Sequence, residues 1–325
     1  METVALGRTG VRVSRIGFGC AAMGGYDYGA ADDRASIGAV HRALELGISL
    51  FDTADVYGLG HAEEVLGRAL AGRRDEAVVA TKVGVRWDAS GRTRRDLSPG
   101  YVAQAVEASL RRLRMERIDL LQLHWPDPET PLEDTLGAAE RLREAGKVAV
   151  LGCCNFDAAL VERGQRAARL ESLQLPYSLA ERGHEAVIHL AAHGHGMAVM
   201  TYNALAQGLF TGKYGRGSAF EGTDLRQRSP LFRGEALERN LATLDRLREV
   251  AAAHGKTPAQ TAVRWLLDAP GVAVVLTGVR TARQAEENAA ATGWSLSDDE
   301  RAYLEGADAS PITAGSATPN ESTEG

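Results

Sequence analysis

Three residue types that move protons stand at the ends of apolar runs in this chain. Asp52 closes the run 48–51, Lys82 follows 77–81, and His124 follows 118–123. A tyrosine, Tyr57, stands five positions after Asp52 in the stretch FDTADVYG. Each residue has an ordinary explanation. An aspartate before threonine is a common turn acceptor, a lone lysine after a strand is usually a solvated loop charge, and a lone histidine is usually a satisfied structural group. Together they offer a chemistry. A phenol ordinarily titrates at about 10, and a nearby ammonium lowers that value by favouring the phenolate. A buried Lys82 needs a counter-charge, which Asp52 can supply. A neutral His124 imidazole can orient or polarise a carbonyl oxygen. The combination is a phenol tuned to give or take a proton at a carbonyl oxygen. The sequence offers no Ser-His-Asp set, no metal-ligand spacing and no phosphate-binding P-loop. Proton transfer without a nucleophile or a metal points to a cofactor that carries the other half of the reaction.

Such residues work only if the fold gathers them. The apolar runs 15–19, 48–51, 77–81, 118–123, 148–152, 172–175, 198–202 and 272–276 have the length and β-branched content of strands. Amphipathic helical patterns occupy 32–46, 99–113, 132–145, 236–254, 258–267, 282–291 and 298–304. Gly47 and Gly146 are natural C-caps, and Ser98-Pro99 and Thr257-Pro258 are helix starts. Alternation of this kind means parallel strands joined by right-handed crossovers. Eight units in about 300 residues predict an α/β fold of the closed (β/α)8 TIM-barrel class. An open doubly wound sheet is the alternative. Gly17-Phe18-Gly19-Cys20-Ala21-Ala22 reads G-x-G-x-x-A, and Asp52 ends the next strand as a ribose-binding acid would. The residues after Ala22 make a poor helix start, however, and that fold needs a helix N-terminus there. In a barrel, the carboxyl ends of all strands share one mouth. Asn155, Gln174, Tyr177, Tyr202 and Asn203 then join the first four.

The chain has 325 residues, 44% hydrophobic content and a formal net charge of -6, with pI near 5.8. That balance argues against nucleic acid or an anionic membrane as partner and leaves a small-molecule substrate. Residues 1–305 read as one barrel, with no linker dividing it, and the Pro/Gly-rich 306–325 as a disordered tail. The long connection 212–234 reads as a functional or mobile loop. Cys20, Cys153 and Cys154 lack zinc or disulfide spacing, and no run reaches membrane-spanning length. The N-terminus lacks the pattern of a signal peptide. A cytoplasmic protein is expected, with no metal.

The motifs resemble those of the aldo-keto reductase family over most of the chain, from Leu6 to about Leu304. The stretch 6–14 resembles that family's N-terminal β-hairpin, which closes the barrel floor. Asp52-x-x-x-x-Tyr57-Gly58 with Glu63-Glu64-x-Leu66-Gly67 is similar to its first signature, and Leu123-His124-Trp125-Pro126-Asp127 with Gly146-Lys147 and Gly152-x-x-Asn155-Phe156 to its central one. Leu205-Ala206-Gln207-Gly208-Leu209 and Gly278-x-Arg280-x-x-x-Gln284-x-x-Glu287-Asn288 resemble its cofactor segments. The resemblance implies a barrel with extra helices and an NAD(P)H-dependent oxidoreductase. It makes Tyr57 the general acid, supported by Lys82 and Asp52, with His124 orienting the carbonyl. It implies that Asn155 and Gln174 bind the nicotinamide carboxamide and that Tyr202 stacks on the ring. Asn203, Leu205, Gln207 and Gly208 would line the pyrophosphate. Gly278, Arg280, Gln284, Glu287 and Asn288 would hold the adenosine end, and Gly19 and Cys20 would also border the cofactor. Tyr26, Trp87 and Trp125 are candidates for an apolar substrate wall.

Three positions depart from the family pattern. Cys154 stands where serine is common before the carboxamide-binding asparagine. Asn203-Ala204 replaces Ser-Pro, which predicts a less rigid loop. Gln284 stands where several branches have a phosphate-binding arginine, and Arg280 is the replacement for contact with a 2′-phosphate. The resulting expectation is reversible NADPH-dependent reduction of aldehydes and ketones, with NADH second. An NAD-dependent sugar or pyridoxal-type dehydrogenase and a non-catalytic cofactor-binding regulatory subunit are the alternatives.

Overall fold

A computed structural model describes residues 1–25, 31–221 and 224–306. The candidate Tyr26 and the expected tail, apart from its first residue, lie outside the described residues. The strands, in chain order, are β1 (Thr3–Ala5), β2 (Arg12–Ser14), β3 (Ile16–Gly19), β4 (Leu50–Asp52), β5 (Val78–Val83), β6 (Val85–Trp87) and β7 (Thr93–Arg95). They continue with β8 (Ile118–Leu123), β9 (Val148–Cys154), β10 (Leu170–Pro176), β11 (Ala198–Tyr202) and β12 (Val272–Gly278). β3, β4, β5, β8, β9, β10, β11 and β12 close into a barrel in that order, each parallel to its neighbours. These are the eight apolar runs of the sequence, and the fold is the expected (β/α)8 barrel.

Side-chain parity explains how a barrel so apolar carries a polar top. Successive residues in a strand point to opposite faces. Phe51, Val79, Leu121, Leu151, Val199 and Val275 point outward into the layer shared with the helices. Leu50, Ala80, Leu120, Val150, Met200 and Val274 form a separate interior cluster. Two residues further along each strand the same inward direction is kept. Leu50 is followed by Asp52, Ala80 by Lys82, Leu120 by Gln122, and Met200 by Tyr202. On these four strands the interior therefore changes from apolar to polar in one step, at the carboxyl end, while on β12 Leu276 keeps it apolar.

The bottom of the barrel is stoppered by the antiparallel hairpin β1–β2, which carries Leu6 and Val13 into the same interior cluster. Both are essentially fully buried. Arg8 fastens this hairpin by donating its backbone N–H to Glu171 Oε2 at 2.7 Å.

The helices expected from the sequence are present as Asp33–Glu45, Pro99–Leu113, Leu132–Glu144, Gly234–Ala253, Pro258–Leu267, Ala282–Ala289 and Asp298–Leu304. Three further helices were not legible: His61–Ala69, Ala158–Ala167 and Glu185–His189. The second of these is ten residues long and fully buries only Val161 and Gly164. The first is nine residues long and begins directly after a turn with positive φ at Gly58, Leu59 and Gly60. The short antiparallel hairpin β6–β7 was also unread. Among the described residues, no helix is long and apolar enough to cross a membrane.

Candidate active site

The polar top of the barrel is organised around one buried ammonium. Lys82 Nζ donates to Asp52 Oδ2 at 2.6 Å, to the Thr53 carbonyl at 2.9 Å and to the Tyr57 hydroxyl at 3.3 Å. Lys82 is 1% exposed and Asp52 3%. Burial alone would lower the lysine's pKa, but Asp52 and Tyr57 outweigh it and the net shift is upward, so the ammonium stays charged. The Tyr57 hydroxyl is also pushed up. Burial is the larger effect there, and Lys82 pulls against it. The expectation that the ammonium would lower the phenol therefore does not describe the net result in this closed pocket, where desolvation wins.

His124 follows β8, and its ring stands edge-on to the Tyr57 ring with centroids 5.9 Å apart. Burial and then the Lys82 charge hold its pKa well below the usual histidine value, so the imidazole is neutral. Its Nδ1 is buried without a hydrogen-bond partner among the described residues. Asn155 lies behind it in a left-handed conformation, φ 59°. Asn155 Nδ2 donates to the His124 carbonyl at 3.0 Å, and Asn155 Oδ1 accepts from the Tyr202 hydroxyl at 2.9 Å.

Tyr57 is positioned by backbone contact rather than by a strand. Gly58 has φ 59°, and a Cβ added there would lie 2.2 Å from the Gly24 carbonyl oxygen. Only glycine allows the Tyr57 turn to seat against the loop after β3. Asp52 anchors the charge at the strand end, and the turn then delivers the hydroxyl back over it.

A cleft of about 470 Å³ opens at this end of the barrel. Tyr57, His124, Trp125, Asn155, Gln174 and Tyr202 line its inner part. From there it runs past Asn203, Leu205, Gln207 and Gly208 to Gly278, Arg280 and Gln284, with Gly19 on its floor. Lys82 stands behind Tyr57 rather than in the lining. Among the described residues, no group of three or more His, Cys, Asp or Glu is placed to hold a metal ion.

The sequence model of the Aldo/keto reductase family matches residues 15–309. The chain belongs to this family. An aldo-keto reductase of Bacillus subtilis is 36% identical over 93% of this chain and 92% of its own length. A relative from Schizosaccharomyces pombe whose name carries NADP(+) is 30% identical over 88% of this chain and 86% of its own length. The NADH-specific methylglyoxal reductase of Escherichia coli is 30% identical over 92% of this chain and 95% of its own length. Among solved structures, a glycerol dehydrogenase from Gluconobacter oxydans superposes with a TM-score of 0.87 at 39% identity, covering 93% of this chain and 94% of that one.

The cleft of this aldo/keto reductase has atoms left over for a dinucleotide. Gln207 Oε1, near the middle of the cleft segment, is buried without a partner among the described residues; Asn288 Nδ2, likewise unpartnered, lies on the helix Ala282–Ala289 outside the lining. Gln174 donates both amide hydrogens inward, to Asp52 Oδ1 at 2.8 Å and to Gln122 Oε1 at 3.1 Å. That leaves its own oxygen as the group available to a ligand. The loop after β11 is held in left-handed conformations at Asn203, Ala206 and Gln207, with φ 62°, 48° and 56°. Asn203 Oδ1 accepts from the Gln207 N–H at 2.9 Å, and its amide donates to Glu181. Asn203 thus braces this loop through both ends of its side-chain amide, at the position where the sequence has Asn203-Ala204 in place of Ser-Pro.

Besides Lys82 and Tyr177, four further sequence candidates lie outside the cleft lining. Cys20 turns its fully buried thiol into the core. Trp87 lies under the Arg112 guanidinium, 6.0 Å away. Glu287 pairs with Arg283 on the surface at 2.8 Å. Asn288 is buried just beyond the lining. Conversely, the cleft includes Lys213 and Tyr214, which end the family-like motif that begins at Leu205, and Leu225 and Arg226, all from the long connection 212–234 and none given a role by the sequence. Arg226 is fixed against Asp224 and donates to the Tyr214 hydroxyl. Gln122 was missed too, although its parity with Lys82 and His124 on inward-facing positions would have found it.

Proposed function

We propose that this chain reduces aldehydes and ketones to alcohols, reversibly, with Tyr57 as general acid and NADPH as the preferred cofactor. The observation that carries the reading is the position of Lys82 Nζ, between the Asp52 carboxylate at 2.6 Å and the Tyr57 hydroxyl at 3.3 Å. Tyr57 donates its proton to the carbonyl oxygen. Lys82 stabilises the phenolate left behind, and Asp52 keeps Lys82 charged and in place. Neutral His124 offers a ring N–H that orients the same oxygen. The nicotinamide, when bound, supplies the hydride. Gln174 Oε1 and the remaining capacity of Asn155 fit its carboxamide, and the Tyr202 ring fits its face. Lys213, Arg226 and Arg280 line the outer cleft and, with Asp224 paired to Arg226, leave it net positive, which suits the extra phosphate of NADPH. The three cysteines are free and buried, in keeping with a cytoplasmic location.

A second reading is supported by the likeness to a glycerol dehydrogenase. The same groups then run in reverse, with Tyr57 accepting the alcohol proton and a small polyol as substrate.

The test is fluorescence titration with NADPH and NADH, followed by turnover of a small aldehyde panel and of glycerol by wild type and Tyr57→Phe. Tight NADPH binding by both proteins is expected, with turnover by the wild type alone. Unimpaired turnover by Tyr57→Phe would falsify the acid assignment, and tighter NADH binding would reverse the cofactor preference.

A further inference from the structure

The hairpin β6–β7 places an excess of arginine beside the substrate end of the cleft. Residues 85–96 contain Arg86, Arg92, Arg94 and Arg95 against Asp88 and Asp96, in a chain whose overall charge is -6. Two contacts locate the hairpin. At its tip, a Cβ added to Gly91 would lie 3.6 Å from Leu59 Cδ1, two residues after Tyr57. At its base, the Arg95 guanidinium lies 5.3 Å from the Trp125 ring centroid and donates to the Pro126 carbonyl at 3.2 Å. Trp125 lines the cleft next to His124, and its ring lies nearly parallel to the histidine's at 6.4 Å. The hairpin thus spans the rim from the residues after Tyr57 to the residues after His124.

The charges on this rim are incompletely neutralised. Arg86 and Arg94 are directly opposed in the β6–β7 register and share the single Asp96 carboxylate, each at 3.3 Å. Like charges facing across strands disfavour the pairing, so hairpin stability does not explain them. Arg94 keeps 62% of its side chain exposed. Arg92 makes no side-chain ion pair among the described residues. Asp88 is engaged within the turn by the Ser90 and Arg92 N–H groups. Asp127, in the loop after Trp125, accepts from the Leu97 and Glu129 N–H groups and the Thr130 hydroxyl, and its charge partly offsets that of Arg95.

We propose that Arg95, on the face of the hairpin turned to Trp125, is a specificity-determining residue that selects carbonyl substrates carrying a carboxylate or phosphate at the end remote from the carbonyl. The inference rests on the carbonyl-reduction reading above. With the carbonyl oxygen between Tyr57 and His124, a substrate tail leaves the cleft along Trp125. An anionic end then meets the guanidinium stacked on that ring, whose planar fork suits carboxylate and phosphate alike.

The test compares para-carboxybenzaldehyde with benzaldehyde, which share a ring and differ by one anion. The ratio of their kcat/KM values is measured for wild type, Arg95→Gln and Arg95→Lys, at low and high salt. Taking the ratio cancels any general loss of activity. The wild-type ratio is expected to favour the anion and to fall about fivefold in the glutamine variant. The fall should lie mainly in KM, and the lysine variant should recover part of it. Added salt should erode the wild-type preference and leave the glutamine variant unmoved. An equal ratio in wild type and glutamine variant overturns the inference. A small phosphorylated aldehyde set against its unphosphorylated parent separates phosphate from carboxylate as the favoured anion. Failure of the wild type to turn over either aldehyde would count against the reductase reading instead. The inference is then decided by quenching of tryptophan fluorescence with the same two compounds, where equal affinity overturns it.

Discussion

Gln174 donates a side-chain N–H to Asp52 Oδ1 at 2.8 Å, on the opposite oxygen from the one that holds Lys82. The carboxylate is therefore fixed from two strands at once, and the ion pair behind Tyr57 is fully buried. Breaking such a pair from one side leaves an uncompensated charge. Asp52→Asn or Lys82→Met alone is expected to cost about 3–5 kcal/mol. The double variant Asp52→Asn/Lys82→Met should recover much of that loss while remaining inactive. Denaturant unfolding of the four proteins checks it, and simple additivity of the two single losses would contradict the coupling.

The directions of the two shifts set the pH profile. Tyr57 is raised above the ordinary phenol value of about 10, so it stays protonated, as an acid must, throughout the neutral range. His124 is lowered well below the usual histidine range and carries no charge change between pH 6 and 8. Reduction of a neutral aldehyde should therefore show kcat/KM nearly flat across that interval, with its alkaline decline above about pH 10. A decline centred near pH 7 would show that another group controls the step.

Asp55 is fully buried, with neither carboxylate oxygen hydrogen-bonded to a side chain. Burial, then the neighbouring Glu63, raises its pKa well above the usual carboxylate value, while Arg112 acts in the opposite sense. The folded state thus holds a proton that the unfolded chain releases above about pH 4. By linkage, stability contributed by this site declines as pH rises from that value towards the raised one. Asp55→Asn removes the decline. The variant is expected to be more stable than wild type at pH 7, by about 1 kcal/mol or more, with the difference vanishing below pH 4. Thermal melts at pH 4 and pH 7 measure it, and equal differences at the two pH values would contradict the protonation account.

Two glycine substitutions should have opposite signs. Gly58→Ala forces a methyl to 2.2 Å from the Gly24 carbonyl oxygen and keeps a positive φ. It is expected to cost about 1–3 kcal/mol and to lower kcat by displacing Tyr57. Gly38 is exposed within the helix Asp33–Glu45, where an added Cβ meets nothing within 4 Å. Gly38→Ala should stabilise by roughly 0.5–1 kcal/mol without changing kcat. The Tm values and single-substrate kinetics of both variants test the contrast.

The sequence by itself determined the barrel and the polar residues at its mouth. Eight apolar runs alternating with helical patterns leave few topologies, because parallel neighbours require crossovers of one hand. Asp52, Lys82 and His124 were legible as polar residues that end apolar strands. The helix Ala158–Ala167 was not legible although its apolar residues lie on one face, because ten residues give the pattern little length in which to show. Only the tertiary structure decided the balance of forces at the site. Whether Lys82 lowers the Tyr57 hydroxyl depends on how much water the folded mouth excludes, and desolvation proved the larger effect. Only the tertiary structure brought Lys213 and Arg226 to the cleft and the arginines of β6–β7 to its rim. Their positions are set by contacts between segments distant in sequence, which no local pattern encodes. The inward parity shared by Leu50 with Asp52, and by Ala80 with Lys82, joins the two levels. It is written in the sequence at period two, but it acquires chemical meaning only when the sheet closes and those positions face one another.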